Sequence, residues 1–376
     1  MEKIRCRLIS HSPGTHIQQV YTGLSMLHRS GLIHLTQQLL GGDFMRAEAP
    51  QHLRDAAATH ARVVLNDAVT VHYDMHDAQD IDLRDLDTCD YYFKRSFSPG
   101  YIGTLPHGAE KILPFGLNCH VLPNFIDPLS VGRAFGLRRG VKERIVALRE
   151  ALDAGNRLRF YSRVRELESL PDYALAPRVL FLVTAYDPHD RPDRSADKIQ
   201  ERIHNNETRA QCIRLLRKEL GPRFLGGFNR NEYTLRQYQD CVVSDTGVTD
   251  KKNFVRTLKA HTICVATTGL HGSIGWKFAE YISCARAIVS ERLAYQVPGG
   301  LAPDQNYLEF TSPAECVEQV LRLIADHDLR NQMMTGNSLY YRAHLRPDAL
   351  LLNSLLTVLS KAEQRQTLPF STIKRS

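Results

Sequence analysis

The stretch TICVATTGLHGSIGWKFAEYISCARAIVSE, Thr262 to Glu291, is followed by a loop and then by NYLEF, Asn306 to Phe310. Its reading decides the fold. Thr262 to Ala266 is short, apolar and partly β-branched, which predicts a buried strand. Thr267 to Gly275 is a turn rich in Gly, Ser and Thr, in which Gly269, Gly272 and Gly275 allow a ligand close to the backbone. Trp276 to Ala285 lacks Gly and Pro and carries Phe278, Tyr281 and Ile282 at helical spacing. Ala287 to Ser290 predicts a second strand. Strand, glycine turn, helix and strand together make a right-handed crossover unit.

Such a turn aims unpaired N–H groups and the positive end of a helix dipole at one point, which suits a phosphate. Lys277 in the first helical turn adds a full positive charge. Ser273 belongs to the same turn, and His271 can donate to a phosphate or simply face water. Glu280, three residues beyond Lys277, lies on its side of the helix and can accept from sugar hydroxyls. The plainer reading is a structural crossover with a Lys–Glu surface pair, because glycine turns before helices are weakly specific. Trp276, the one tryptophan, fits core packing as well as base stacking. Asn306 either reaches a nucleotide or forms a turn. Spacing alone leaves these alternatives open.

Gly269, Gly275, Trp276, Lys277, Glu280, Tyr281 and the run Arg286 to Ser290, continued by Asn306, Tyr307, Leu308, Asn337, Tyr340, Tyr341 and Pro347, resemble the donor-binding half of bacterial group-1 glycosyltransferases. The likeness is close over the second half of the chain and loose over the first. It implies an α/β protein of two Rossmann-like domains facing a cleft, the GT-B fold. It also implies transfer of a sugar from a nucleotide diphosphate-sugar, with no bound metal ion or other cofactor. Glu280 falls on the second acid of the family's Glu-x7-Glu motif, which binds ribose. The first acid is replaced by Gly272, so the donor-sugar contact at that position is missing and the stereochemistry of transfer stays open.

The 376 residues suffice for two domains, and 43% hydrophobic with 24% charged residues excludes a disordered chain or a coiled coil. A net charge of +7 and a pI near 9.0 favour anionic partners: nucleotides or acidic lipid. No stripe of basic and aromatic residues supports nucleic acid. Eight cysteines without a Cys-x-x-Cys pair fit a reducing, cytoplasmic compartment. The first residues do not read as a signal peptide, and no apolar run is long enough to span a bilayer.

Working outward, Ile4 to Leu8 alternates as a strand, a turn holds His11 and His16, and Ile17 to His28 has the apolar face of a helix. Leu32 to Leu35 returns as a strand, giving a second crossover unit. Val63 to Leu65, Val69 to Tyr73, Tyr91 to Arg95 and Lys111 to Phe115 read as further strands. The second of these runs into Asp74, Met75, His76 and Asp77, a loop able to hold a general base, to coordinate a metal or simply to sit in solvent. Lys94 and Arg95 read as acceptor contacts or plain surface. Arg138 and Arg139 read as a solvated linker or a contact with acidic lipid. Val179 to Thr184, Phe224 to Phe228 and Cys241 to Val243 are strands of a second sheet, with a helix over Ile199 to Leu220 and others after Asp250, at Ser312 and from Ala349.

These readings place an acceptor-side domain at residues 1–165, a nucleotide-sugar domain at 166–348, and at 349–376 a helix crossing back to the first domain, ending in a frayed basic tail. Each sheet is expected to be parallel. Donor contacts are expected from Gly269, His271, Ser273, Gly275, Trp276, Lys277, Glu280 and Asn306, and a proton acceptor from His16 or Asp74. The acceptor is a glycan, a lipid-linked molecule or a small metabolite, with glycan, polysaccharide or lipopolysaccharide synthesis as the setting and the inner face of the membrane as a peripheral contact. Alternatives are a sugar-nucleotide epimerase of the same fold and a nucleotide-binding protein without turnover.

Overall fold

The computed structural model describes residues 3–10, 14–40, 59–137, 140–152 and 162–367. His11, the Arg138-Arg139 pair and the end of the tail, 368–376, lie outside them. The first sheet holds β1 (Ile4–Ser10), β2 (Ile33–Leu39), β3 (His60–Leu65), β4 (Val69–Asp74), β5 (Tyr91–Lys94) and β6 (Ile112–Pro114), in the order β2-β1-β3-β4-β5-β6. Helix α1 (Gln18–Arg29) connects β1 to β2 and packs its apolar stripe on the sheet.

The sheet is not wholly parallel. β3 runs antiparallel to both β1 and β4, while β1 with β2, and β4 with β5 and β6, are parallel. The cause is a tight turn between β3 and β4. Asn66 and Asp67 both adopt positive φ, 50° and 59°, a conformation these two residues tolerate, and the chain reverses at once. Asn66 also accepts from the Arg5 amide at 2.9 Å.

Two short strands, β7 (Val121–Leu122) and β8 (Ser162–Arg163), pair between the sheets. The second sheet comprises β9 (Val179–Val183), β10 (Phe224–Phe228), β11 (Ile263–Ala266), β12 (Ala287–Glu291) and β13 (Leu308–Phe310). All are parallel, in the order β10-β9-β11-β12-β13. Both faces are apolar and covered, which explains the unbroken Val/Ile/Leu runs of its strands. Helices α2 (Ala196–Leu220), α3 (Lys251–Lys259), α4 (Trp276–Ser283), α5 (Pro313–Ala325) and α6 (His327–Tyr340) belong to this half. Cys241 to Val243 is no strand: Val242 makes a single bridge to Phe228 after a 3₁₀ turn. Helix α6, absent from the sequence reading, is capped by Asp326, whose side chain accepts from Leu329 N.

A π-turn at Tyr341–Leu345 leads into α7 (Pro347–Thr367), which lies on the first sheet. Leu350, Leu351, Leu355 and Val358 join that sheet's core, and each fully buried side chain of this kind contributes about 1.5–3 kcal/mol. Ser354 shares a 2.8 Å hydrogen bond with Tyr73 on β4. Gly23 lets α1 and α7 touch: a Cβ there would collide with the Pro347 carbonyl oxygen. Two Rossmann-like domains thus face each other across a cleft, the GT-B arrangement.

Candidate active site

The carboxyl ends of β9 and β11 open into a cavity of about 410 Å³ whose far wall belongs to the first domain. That edge is where open α/β sheets bind ligands, and the volume suits a small molecule. The second domain lines it with Thr184, Tyr186, Arg209, Asn229, Gly269, Ser273, Gly275, Trp276 and Lys277, among others; the first domain contributes His16, Asp77 and Arg95.

The glycine turn is built against this cavity. Gly269 N donates to Ser273 O at 2.7 Å, and a Cβ on Gly269 would meet Ser273 Oγ at 2.6 Å. Gly275 caps α4 without a side-chain hydrogen bond, and the positive end of the helix is turned to the cavity that Gly275, Trp276 and Lys277 line. Arg209, on α2, holds the turn from behind. Its Nε donates to Thr267 Oγ1 at 3.0 Å, Nη2 to Thr268 O at 2.7 Å and Nη1 to Thr184 O at 2.7 Å, and the guanidinium stacks over Tyr186. Among the described residues its hydrogen-bond partners are neutral oxygens, which leaves its charge to the cavity.

Lys277 stands 3.0 Å over the Phe254 ring and 3.3 Å from Glu280 Oε2. Glu280 is only 4% exposed and does not line the cavity; its Oε2 faces Lys277 without hydrogen-bond alignment. The structure therefore seats Glu280 as the buried partner of Lys277. Asn306 is also structural. Its Nδ2 donates to Asn337 Oδ1 at 3.0 Å and its Oδ1 accepts from Ala302 N, pinning the β13 approach to α6. His271 takes positive φ and turns to a separate recess of about 370 Å³, bounded by Ala78, Gln79, Asp80, Ser98, Ala294 and Tyr295.

Trp276 crosses the cleft. Its ring lies 5.0 Å from that of His16, edge-on, and 6.1 Å from that of His120, stacked. His16 Nδ1 is 3.9 Å from Asp77 Oδ1. Burial lowers the His16 pKa, Asp77 pulls it back up, and Arg95 presses it down. Asp77 pairs with Arg95; burial disfavours its charge, yet Arg95 and His16 hold its pKa below the ordinary carboxylate value. Arg95 also donates to Ile274 O at 2.6 Å, joining the two walls.

Asp74 is no candidate base. It is 1% exposed, and Lys94 Nζ and Tyr92 Oη reach its Oδ2 at 2.7 and 2.6 Å while His60 Nε2 stands 3.1 Å from Oδ1. Burial opposes its charge, but Lys94 and His60 hold the carboxyl well below the usual range. A proton acceptor must be reachable and basic, and Asp74 is neither. Lys94, read as acceptor contact or surface, is fully buried as its partner. His76 anchors its own amide to Asp74 Oδ1 at 2.8 Å and does not line the cavity. Sequence reasoning missed Arg209, Tyr186 and Asn229 altogether.

No family model matches the chain, and no curated protein does. Several solved structures are similar at low identity. The C-terminal domain of a glycosyl transferase group 1 family protein, LpcC, from Francisella tularensis is 10% identical with a TM-score of 0.33, over 48% of this chain and 96% of that one. The pneumococcal O-GlcNAc transferase GtfA, in complex with UDP and GlcNAc, is 10% identical with a TM-score of 0.36, over 89% of this chain and 54% of that one. HepE of Anabaena, in complex with UDP-glucose, is 10% identical with a TM-score of 0.36, over 95% of this chain and 100% of that one.

Proposed function

We propose that this chain transfers a glycosyl group from a nucleoside diphosphate sugar to an acceptor hydroxyl in the cleft. The observation that carries the reading is the set of cations lining the cavity, Arg209 together with Arg95, paired to Asp77, and Lys277, paired to Glu280, beside the start of α4. Three cations and a helix N-terminus suit a diphosphate. They also suit its departure, because negative charge grows on the leaving oxygen as the bond to the sugar breaks.

In this reading the diphosphate lies over Gly269 to Lys277, between Arg209 and Lys277. The acceptor oxygen approaches from the first-domain wall. The new bond forms from that oxygen to the anomeric carbon, the carbon–phosphate oxygen bond breaks, and the acceptor proton passes to His16 in an inverting reaction. In a retaining reaction the departing phosphate takes it. Holding donor and acceptor between two rigid walls supplies the positional part of the rate. The acceptor stays at the class of glycan, lipid-linked or small-molecule hydroxyl. Among the described residues no helix is long and apolar enough to cross a membrane. Eight buried cysteines without a Cys-x-x-Cys pair support a reducing, cytoplasmic compartment, with peripheral contact to acidic lipid as part of the proposal.

The test is a thermal-shift screen against UDP, GDP, CDP and dTDP and their sugars, followed by donor hydrolysis and transfer assays. One nucleotide should raise the melting temperature by mass action, and Arg209→Met should abolish that shift. A screen with no shift, or a shift untouched in Arg209→Met, overturns the assignment of the cavity. Binding without hydrolysis or transfer points to a non-catalytic nucleotide binder.

A further inference from the structure

The face of the first sheet opposite α1 and α7 carries charge. His60 on β3, Arg62 on β3, His72 and Asp74 on β4 and Lys94 on β5 point into it, covered by the short helix Leu83–Asp87. Within it three ligand atoms converge from three elements. His60 Nδ1 is 3.3 Å from Asp85 Oδ2, His72 Nε2 is 3.9 Å from the same oxygen, and all three atoms lie within 4.8 Å of one another. None of the three residues lines the cleft cavity.

We infer that His60, His72 and Asp85 bind a divalent transition-metal ion of the zinc type. His72 is 2% exposed, and its Nε2 has no hydrogen-bond partner among the described residues. A buried ring nitrogen 3.9 Å from a carboxylate oxygen is too far for a hydrogen bond. Bonds of about 2.0–2.1 Å place neighbouring ligands on a tetrahedron about 3.3–3.4 Å apart, the spacing His60 and Asp85 already have, and loading draws the His72 ring in towards them. The second shell is also present. His60 turns its other nitrogen to Asp74 Oδ1 at 3.1 Å, where the carboxylate–histidine–metal relation puts a carboxylate, and an ion binds by displacing the proton that Nδ1 presents to Asp85. Lys94 and Tyr92 fix Asp74 in turn.

The donor set chooses the ion. Two imidazoles and one carboxylate suit zinc, cobalt or nickel, whereas magnesium and calcium prefer an all-oxygen set. Asp85 and Arg62 are partly exposed, at 28% and 24%, so an ion enters from their side and water completes its coordination. Arg62 competes. Its Nη2 donates to Asp85 Oδ1 at 2.6 Å, and its Nε lies 3.4 Å from His72 Nδ1. Loading moves the His72 proton to Nδ1 and turns Arg62 towards Thr88, which it already reaches at 2.7 Å. The ion ties β3, β4 and the covering helix together and takes no part in the cleft chemistry.

The test titrates the chelator-treated full chain with Co²⁺ alone. One equivalent should bind with visible d–d bands, raise the melting temperature and be displaced by one equivalent of Zn²⁺. Asp85→Asn, at a partly exposed position, should lower affinity at least about 100-fold, beyond the 10–100-fold loss typical of outer-shell partners. Arg62→Gln should tighten binding. The unaltered chain with cobalt should show shifted imidazole N–H resonances from two histidines, a readout that survives should a variant misfold. No saturable binding, unchanged affinity in Asp85→Asn, weaker binding in Arg62→Gln, or a histidine count other than two each overturns the site.

Discussion

The two sheets bury their strands equally well and by opposite means. The second is apolar on both faces, from Leu180 and Cys264 on one side to Phe181 and Val265 on the other. The first is apolar towards α1 and α7; its other face sets Asp74, Lys94, His60 and His72, all at most 5% exposed, beside a smaller apolar cluster of Leu86, Tyr92 and Ile112. Burial of apolar side chains is tolerant, because any side chain of similar volume keeps most of the gain. Burial of paired charges is not, because losing one partner strands the other in a medium that does not solvate it. Charge on the first sheet also reaches the cleft: Asp74 ends β4 and anchors the chain that leads to Asp77, while Arg95 follows Lys94 directly.

The largest effect should come from giving both sheets the same side chain. Lys94→Met leaves Asp74 buried without its ammonium partner and should cost about 3–5 kcal/mol. Leu180→Met, at an equally buried site in the second sheet, should cost under about 1.5 kcal/mol. Denaturant melts of the two variants read the difference directly. Equal losses would mean that the charged face behaves as ordinary core.

How much of this was legible follows the same division. The second crossover unit stood out because its strands are continuous apolar runs and its helix has a 3.6-residue stripe. The first unit, β1-α1-β2, was equally visible through alternation. The reversal at β3 was not read, although Asn66-Asp67 are residues that accept positive φ. Asp74 looked like a loop carboxylate because Lys94 and His60 are its neighbours only across strands, and single-sequence patterns do not show pairing. The Lys277–Glu280 pair was legible from its helical spacing, though not its burial, whereas Asn306 was assigned from position along the chain, which does not reveal that Asn337 claims it. Arg209 had a signal that went unused: it lies on one helical stripe with Ile213, Leu216 and Leu220, so an arginine there is buried.

The cleft draws on both sheets, and its cations should rank by what already holds them. Arg209 donates to neutral oxygens among the described residues, so Arg209→Met should weaken nucleoside diphosphate binding by about 1.5–3 kcal/mol, roughly 10–150-fold. Lys277 is shared with Glu280 and Phe254, so Lys277→Ala should cost less. Calorimetry with the best nucleotide gives the order, and a larger loss at Lys277 would reverse it. Smaller again is the contact of α1 with α7. Gly23→Ala forces α1 and α7 apart and should destabilise by about 1–3 kcal/mol. Gly132→Ala, on the helix Pro128–Gly136 with open space around its Cβ, should be neutral or stabilise by up to about 1 kcal/mol.

The finest test concerns His16, where the two walls meet. Its ring is enclosed by Trp276 from the second domain and by Asp77 and Arg95 from the first. Burial dominates and lowers its pKa below the ordinary 6.5. Two consequences share a sign. Neutral His16 is the form able to accept a proton, so transfer should be flat at neutral pH and fall only as pH drops through the lowered pKa. The stability from burying a neutral ring is likewise complete above the unfolded value, about 6.5, and lost as pH falls through the folded one. Asp77 is the charge that raises this pKa, so Asp77→Asn should move the acidic limb of the pH–rate profile to lower pH while leaving its plateau in place. His16→Gln should abolish the limb and lower the plateau about 10²–10⁴-fold, the usual contribution of a general base. A limb that stays put in Asp77→Asn would disconnect that carboxylate from His16. A plateau that survives in His16→Gln, with donor still bound, would leave the departing phosphate as the proton acceptor and the reaction a retaining one.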